Sequence, residues 1–162
     1  MDVSIICVGN EWQLDDGFGP AVARHLLEEW SWPENVAVLD RGVMGYDIVP
    51  DLANCDFALV VDALDGTGHA PGTVLEFAPE DMAVSEGIMS LHDVRFADVL
   101  ATAQLMGTRC AGGWCFGVQV ERLGRGALDR GLSAPVAAAV EPCARAVVAY
   151  TCERLGMQVT PR

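Results

Sequence analysis

A chain of 162 residues that is 51% hydrophobic, 20% charged and 7% aromatic has the material for one domain, residues 1–162, with a substantial core, and is not a disordered chain. Its net charge of −13 excludes nucleic acid as a partner, since a phosphate backbone needs a basic surface, and opposes binding to anionic lipid; a basic peptide or protein is the class it would steer. No apolar run approaches the roughly 20 residues of a membrane-spanning helix, and the N-terminus has neither a basic region nor a small-residue cleavage site, so a cytoplasmic protein is expected.

In chain order, Val3 to Val8 is an apolar run of the kind found in a strand covered on both faces. The stretch from Gly9-Asn10 to Asp15-Asp16-Gly17-Phe18-Gly19-Pro20 turns and enters a helix, with Pro20 suited to the first turn and Ala23, Leu26, Leu27 and Trp30 at helical spacing. Trp32-Pro33 ends that helix. Val36 to Leu39 predicts a second strand ending at Asp40, a short helix covers Tyr46 to Leu52, and Phe57 to Val61 is a third strand that delivers Asp62 at its end. Gly66 to Gly72 is a loop, Thr73 to Phe77 a fourth strand, and residues 78–90 a loop. Val94 to Met106 has helical period, with Val94, Ala97, Asp98 and Ala101 on one side. Trp114 to Val120 is a fifth strand. Ser133 is placed to cap a last helix from Ala134 to Leu155, with Val136, Val140, Cys143 and Val147 on its buried stripe.

Strands alternating with helices predict an α/β three-layer sandwich, a mostly parallel sheet with helices on both faces. Ligands of such sheets bind outside the carboxyl ends of the strands. Asp15 and Asp16 follow the first strand, Asp40 the second and Asp62 the third, so the carboxylates converge on one edge. Taken singly, each reads as a cap or turn residue. A phosphate is repelled by such a loop, whereas a metal cation or a proton-transfer role suits it. Three histidines are available as partners: His25 within the first helix, His69 in a glycine-rich loop, and His92 near the start of a helix whose dipole favours a neutral, metal-binding imidazole. Spacing does not choose between His69 and His92. Two carboxylates and one imidazole leave open positions, and nickel, zinc and cadmium accept such ligands. HExxH and G-x-S-x-G motifs are missing, which excludes an ordinary zincin and disfavours an α/β-hydrolase. The six cysteines form no C-x-x-C pair; Cys7 and Cys55 read as small core residues and the thiols as reduced.

These residues resemble the hydrogenase maturation endopeptidases, which process the large subunits of nickel-iron hydrogenases. The resemblance runs through Gly9-Asn10, Asp15 to Gly19, Leu39-Asp40, Val60 to Ala63, Ala70 to Thr73, Ser90-Leu91-His92 and Gly131 to Val136, in family order over nearly the whole chain. It implies a five-stranded sheet with one antiparallel strand. It also implies that Asp16, Asp62 and His92 are both the metal ligands and the catalytic group, thereby preferring His92 to His69. The implied function is an endopeptidase (a hydrolase, classed with aspartyl endopeptidases) that recognises nickel already inserted in the large-subunit precursor and removes its C-terminal peptide. The nickel arrives with the substrate, and zinc or cadmium can substitute in vitro. The metal either polarises the scissile carbonyl, activates water, or serves mainly to recognise the loaded substrate. A monomer suits docking on a larger precursor.

The chain departs from the family pattern at Arg41-Gly42-Val43-Met44-Gly45, which bears on substrate choice, with Arg41 set to pair with an acidic precursor residue or with Asp40. It departs again at Gly117 to Glu121, which lacks the family's proline. Two competing readings are a non-catalytic checkpoint module that binds nickel-loaded precursor without cutting it, and a nucleotide- or small-molecule-binding α/β domain, against which the acidic loop argues.

Overall fold

A computed structural model describes residues 1–43, 45–84, 89–90, 94–124 and 128–162. The first strand, β1 (Val3–Cys7), is buried at every position. A single 3₁₀ turn at Asp15–Gly17 leads into α1 (Phe18–Glu29), and a short surface strand, β2 (Trp30–Ser31), precedes β3 (Val36–Asp40). A 3₁₀ turn at Tyr46–Ile48 runs into α2 (Val49–Ala53), then come β4 (Phe57–Asp65) and β5 (Val74–Phe77). The remainder comprises α3 (Pro79–Val84), β6 (Met89–Ser90), α4 (Phe96–Leu105), β7 (Gly112–Gln119), α5 (Ala134–Glu153) and β8 (Thr160–Pro161), which pairs with β2.

The main sheet has the strand order β3-β1-β4-β7-β5, with β6 added against the end of β4. Pairings among β3, β1, β4 and β7 are parallel; β5 runs antiparallel to β7 and β6 antiparallel to β4. This is the five-stranded, mostly parallel sheet expected. Its strands read as apolar runs because alternate residues serve two cores. Ile5, Cys7, Leu59, Val61, Phe116 and Val118 face the layer of α1 and α5. Ile6, Val8, Ala58, Val60 and Cys115 face the layer of α2 and α4. With both faces covered, no alternation of polar and apolar residues survives in the sequence.

Several expectations need correction. Residues 78–90 are not a plain loop: Pro79–Val84 is helical, with proline at the first position and Glu80 and Asp81 in the first turn, where an acidic pair complements the helix dipole, and Met89–Ser90 is a strand. β4 does not stop at Val61 but continues to Asp65, because β7 pairs with it as far as Leu64↔Gln119. In α1 the buried residues include Phe18, Val22, Ala23 and Leu26, whereas Leu27, one step off that stripe, is exposed. In α4 the buried face is Phe96, Val99, Leu100 and Ala103, so the side bearing Asp98 and Ala101 faces outward. Among the described residues no helix is long and apolar enough to cross a membrane.

The chain leaves β1 through α1 to β3 on one side, then crosses back through α2 to β4 on the other. Strand order therefore reverses between β1 and β4, which opens a crevice at their carboxyl ends.

Candidate active site at the carboxyl edge of β1 and β4

Register fixes the edge. Cys7, the last residue of β1, stands opposite Asp40 on one side and Val61 on the other, and the Val8 amide donates to the Val61 carbonyl at 3.0 Å. Asp62 is thus the first β4 residue beyond the end of β1. Its side chain is 7% exposed, and Oδ1 accepts the Ala63 amide at 2.8 Å. The 3₁₀ turn carrying Asp15 and Asp16 packs against β4, which brings the two predicted carboxylates to the same crevice. Asp40 shares the edge but is exposed on the outermost strand.

The loop after β1 is held by close approach. Gly9 has φ 146°, and a Cβ there would lie 2.0 Å from the Asp16 carbonyl oxygen. A Cβ at Gly19 would lie 2.0 Å from the Val8 carbonyl, so only glycine lets α1 start against the end of β1. Asn10 closes the turn. Its side-chain oxygen accepts the Trp12 amide at 3.0 Å, and its backbone amide donates to Asp16 Oδ2 at 3.2 Å. Leu14 sits at φ 54°, the one non-glycine residue with positive φ among those described, which places backbone strain directly before the two aspartates.

The neighbouring aspartates have different surroundings. Asp15 is fully buried, with both oxygens committed: Oδ1 accepts the Ser133 amide at 2.7 Å, and Oδ2 accepts the Ser133 hydroxyl at 2.9 Å and the amides of Glu121 and Arg122 at 2.9 and 2.7 Å. It ties the loop after β1 to the loop after β7 and to the start of α5. Two isolated bridges, Gln13↔Asp129 and Leu14↔Leu123, reinforce the same junction. Asp16 is 5% exposed and is not a helix cap: Gly17 occupies the N-cap position of α1, with no side-chain cap.

Ser133 had been expected to cap α5. It stands at the N-cap position, but its hydroxyl goes to Asp15 and makes no cap bond. Sequence reasoning had no signal for this contact, because the partners are 118 residues apart. Within the chain Arg41 pairs not with Asp40 but with Asp51, in a two-pronged contact at 2.9 and 3.0 Å, and the Asp51 hydrogen bond raises its pKa.

Of the histidines, His25 is half-buried on α1 and His69 is exposed. Gln119 holds the beginning of the His69 loop by accepting from the Thr67 amide and hydroxyl at 3.0 and 2.6 Å. His92 lies outside the described residues; Ser90, two positions earlier in the sequence, pairs with Leu64 near the end of β4. Among the described residues no three His, Cys, Asp or Glu side chains are grouped so as to hold a metal ion.

The cysteines nearest the edge are poor nucleophiles. Burial first, then the charge of Asp62, raises the Cys115 thiol, and burial first, then Cys143 and Asp40, raises Cys7. Beside the loop runs a cleft of about 330 Å³ whose walls include Gly9, Asn10, Glu11, Arg24 and Val43. A second cleft of about 350 Å³ shares Glu11 and Arg24 and continues to Arg130 and Leu132. The two clefts flank the loop that carries the aspartates and are separated by the Arg24–Glu11 ion pair at 3.7 Å.

Comparison with known proteins gives a consistent picture. The HycI hydrogenase maturation protease family model matches residues 20–150. The hydrogenase expression/formation protein HupM of Azotobacter chroococcum mcd 1 is 33% identical over 99% of this chain and 76% of its own length. The hydrogenase 2 maturation protease of Escherichia coli (strain K12) is 29% identical over 100% of this chain and 97% of its own. With HupD of Rhodobacter capsulatus identity rises to 38%, over 65% of this chain and 50% of that protein. In structure, the hydrogenase maturating endopeptidase HybD from E. coli superimposes with a TM-score of 0.86 at 29% identity, covering 100% of this chain and 98% of that one.

Proposed function

The chain belongs to the hydrogenase maturation protease family, and on that premise we propose that it is an endopeptidase that removes the C-terminal peptide from the precursor of a nickel-iron hydrogenase large subunit, recognising nickel already held by that precursor. The observation that supports the reading is that Asp16 and Asp62, both buried, lie on elements that pack together at the crevice where strand order reverses. Two carboxylates at one crevice are anionic oxygen donors that a divalent cation accepts. The nickel of an incoming precursor is such a cation, and His92 is the imidazole that would complete the set.

Nickel in this account is part of the substrate. Asp16 and Asp62 would take positions left open by the precursor's own ligands, so that only a loaded precursor docks with its cleavage segment in the cleft beside Gly9 and Asn10. Zinc or cadmium, which accept the same oxygen and nitrogen donors, would occupy the site in vitro. The protein would act as a monomer on a larger partner in the cytoplasm.

The test is variant processing. Asp16→Asn and His92→Ala should each abolish release of the C-terminal peptide while thermal unfolding stays close to that of the parent. Normal maturation by both variants would overturn the site.

A further inference from the structure

At the opposite, amino-terminal edge of the sheet, β4 and β7 begin side by side. The pair Phe57↔Gly112 opens their parallel register, and the Ala111 amide donates to the Asp56 carbonyl at 2.9 Å just before it. Counting the register back two positions sets Cys55 opposite Cys110. Both side chains are buried in the same α2–α4 core, where the Cys110 thiol donates to the Gly112 carbonyl at 3.3 Å and the Cys55 thiol faces the Leu52 carbonyl at 4.0 Å. Adjacent strands lie about 4.8 Å apart, inside the roughly 4.4–6.8 Å Cα separation that a disulfide spans. We propose that Cys55 and Cys110 are a reversible dithiol modification site, closed to a disulfide by a peroxide.

The surroundings assign the roles. The neighbouring Cys110 side chain, followed by contacts from Ser4 and the charge of Arg109, lowers the Cys55 pKa against the opposing effect of burial. Arg109 is fixed over this corner by its bond to the Asn54 carbonyl at 3.0 Å and its ion pair with Asp56 at 3.5 Å. Cys55 is therefore the attacking thiolate. The nearness of Cys55, followed by burial, raises Cys110, which keeps its proton in a hydrogen bond to the Gly112 carbonyl until Cys55 has reacted.

The Cys55 thiolate attacks one peroxide oxygen, the O–O bond breaks, and Cys55 becomes a sulfenic acid as the other oxygen leaves as hydroxide and takes up a proton to form water. Cys110 sulfur then attacks the sulfenic sulfur. The S–S bond forms, the S–OH bond breaks, and the Cys110 proton leaves with that hydroxyl as a second water. Overall two thiols and one peroxide give one disulfide and two waters, with sulfur oxidised and peroxide oxygen reduced. A thiol reductant reverses the change.

The bridge would staple the starts of β4 and β7, at the far end of β4 from Asp62, so it should stiffen the fold and leave the crevice untouched. Cys7 and Cys143 also lie near each other in the α1–α5 core, but among the described residues no cation adjoins them and both thiols are raised; Cys115 is raised by burial, and Cys152 lies half-buried on α5.

The experiment treats the full chain with hydrogen peroxide, blocks residual thiols by alkylation, and maps the peptides by mass. A Cys55–Cys110 cross-linked peptide, lighter by two hydrogens and lost on reduction, is expected, together with a higher unfolding temperature in the oxidised form. In Cys110→Ser, dimedone should trap a sulfenic acid on Cys55; in Cys55→Ser, Cys110 should stay unmodified. The proposal is overturned if the parent chain keeps Cys55 and Cys110 reduced while Cys152 oxidises, or if either residue bridges to a different cysteine.

Discussion

Replacing Asp15 and Asp16 one at a time should separate two functions that sequence alone leaves together. In Asp15→Asn the side-chain volume is kept, but one acceptor oxygen becomes a donor. At Oδ1 that group would face the Ser133 amide, and at Oδ2 it would face the Ser133 hydroxyl and the amides of Glu121 and Arg122. Hydrogen bonds to a charged group contribute roughly 1.5–3 kcal/mol each, and a stranded buried donor costs about 1–3 kcal/mol. At least one of the four bonds should be lost and the new donor stranded, for a gross effect of about 2.5–6 kcal/mol, offset in part because a buried carboxylate no longer has to be desolvated. A net loss of roughly 2–4 kcal/mol remains, which for a chain of this size lowers the midpoint by on the order of 10 °C. Asp16→Asn keeps an acceptor for the Asn10 amide and should lower stability by less than Asp15→Asn does, while processing disappears. Differential scanning calorimetry beside a precursor-cleavage assay reads both quantities. Equal midpoints for the two variants, or a stable and fully inactive Asp15→Asn with an active Asp16→Asn, would refute the division of roles.

Other consequences follow from the same geometry. Gly19→Ala drives a methyl group into the Val8 carbonyl at 2.0 Å and should destabilise by about 1–3 kcal/mol or more, measured by urea unfolding, with activity lost in proportion as α1 is pushed from β1. Arg41→Ala breaks a largely exposed pair with Asp51 and should cost only about 0.2–1 kcal/mol; because that guanidinium is already engaged, KM for the precursor should stay near the parent value. Calorimetric titration of the isolated chain with zinc or cadmium should show one site that Asp62→Asn removes, and unchanged binding in that variant would count against Asp62 as a ligand.

Much of the architecture was legible because burial on both faces leaves a plain mark. The apolar runs of β1, β4 and β7 announce a covered parallel sheet, and strand ends then place Asp16, Asp40 and Asp62 on one edge without further information. Element ends were less legible. Asp62 lies within β4 and not after it because a neighbouring strand, remote in sequence, decides how far pairing runs. Pro79–Val84 escaped notice because six residues carry less than two turns of periodicity. The different fates of Asp15 and Asp16 were beyond pattern reading, since what fixes Asp15 is Ser133 at the other end of the chain. Arg41 shows the same difficulty: its partner Asp51 lies beyond a turn, while the adjacent Asp40 only looked nearer.

The central claim is that precursor nickel, meeting Asp16 and Asp62 at the carboxyl edge of β1 and β4, licenses cleavage. Purified protein incubated with matched nickel-loaded and nickel-free large-subunit precursor, and followed by intact mass, tests it directly. Loss of the C-terminal peptide from the loaded form alone is the predicted result; equal cutting of both forms would contradict it.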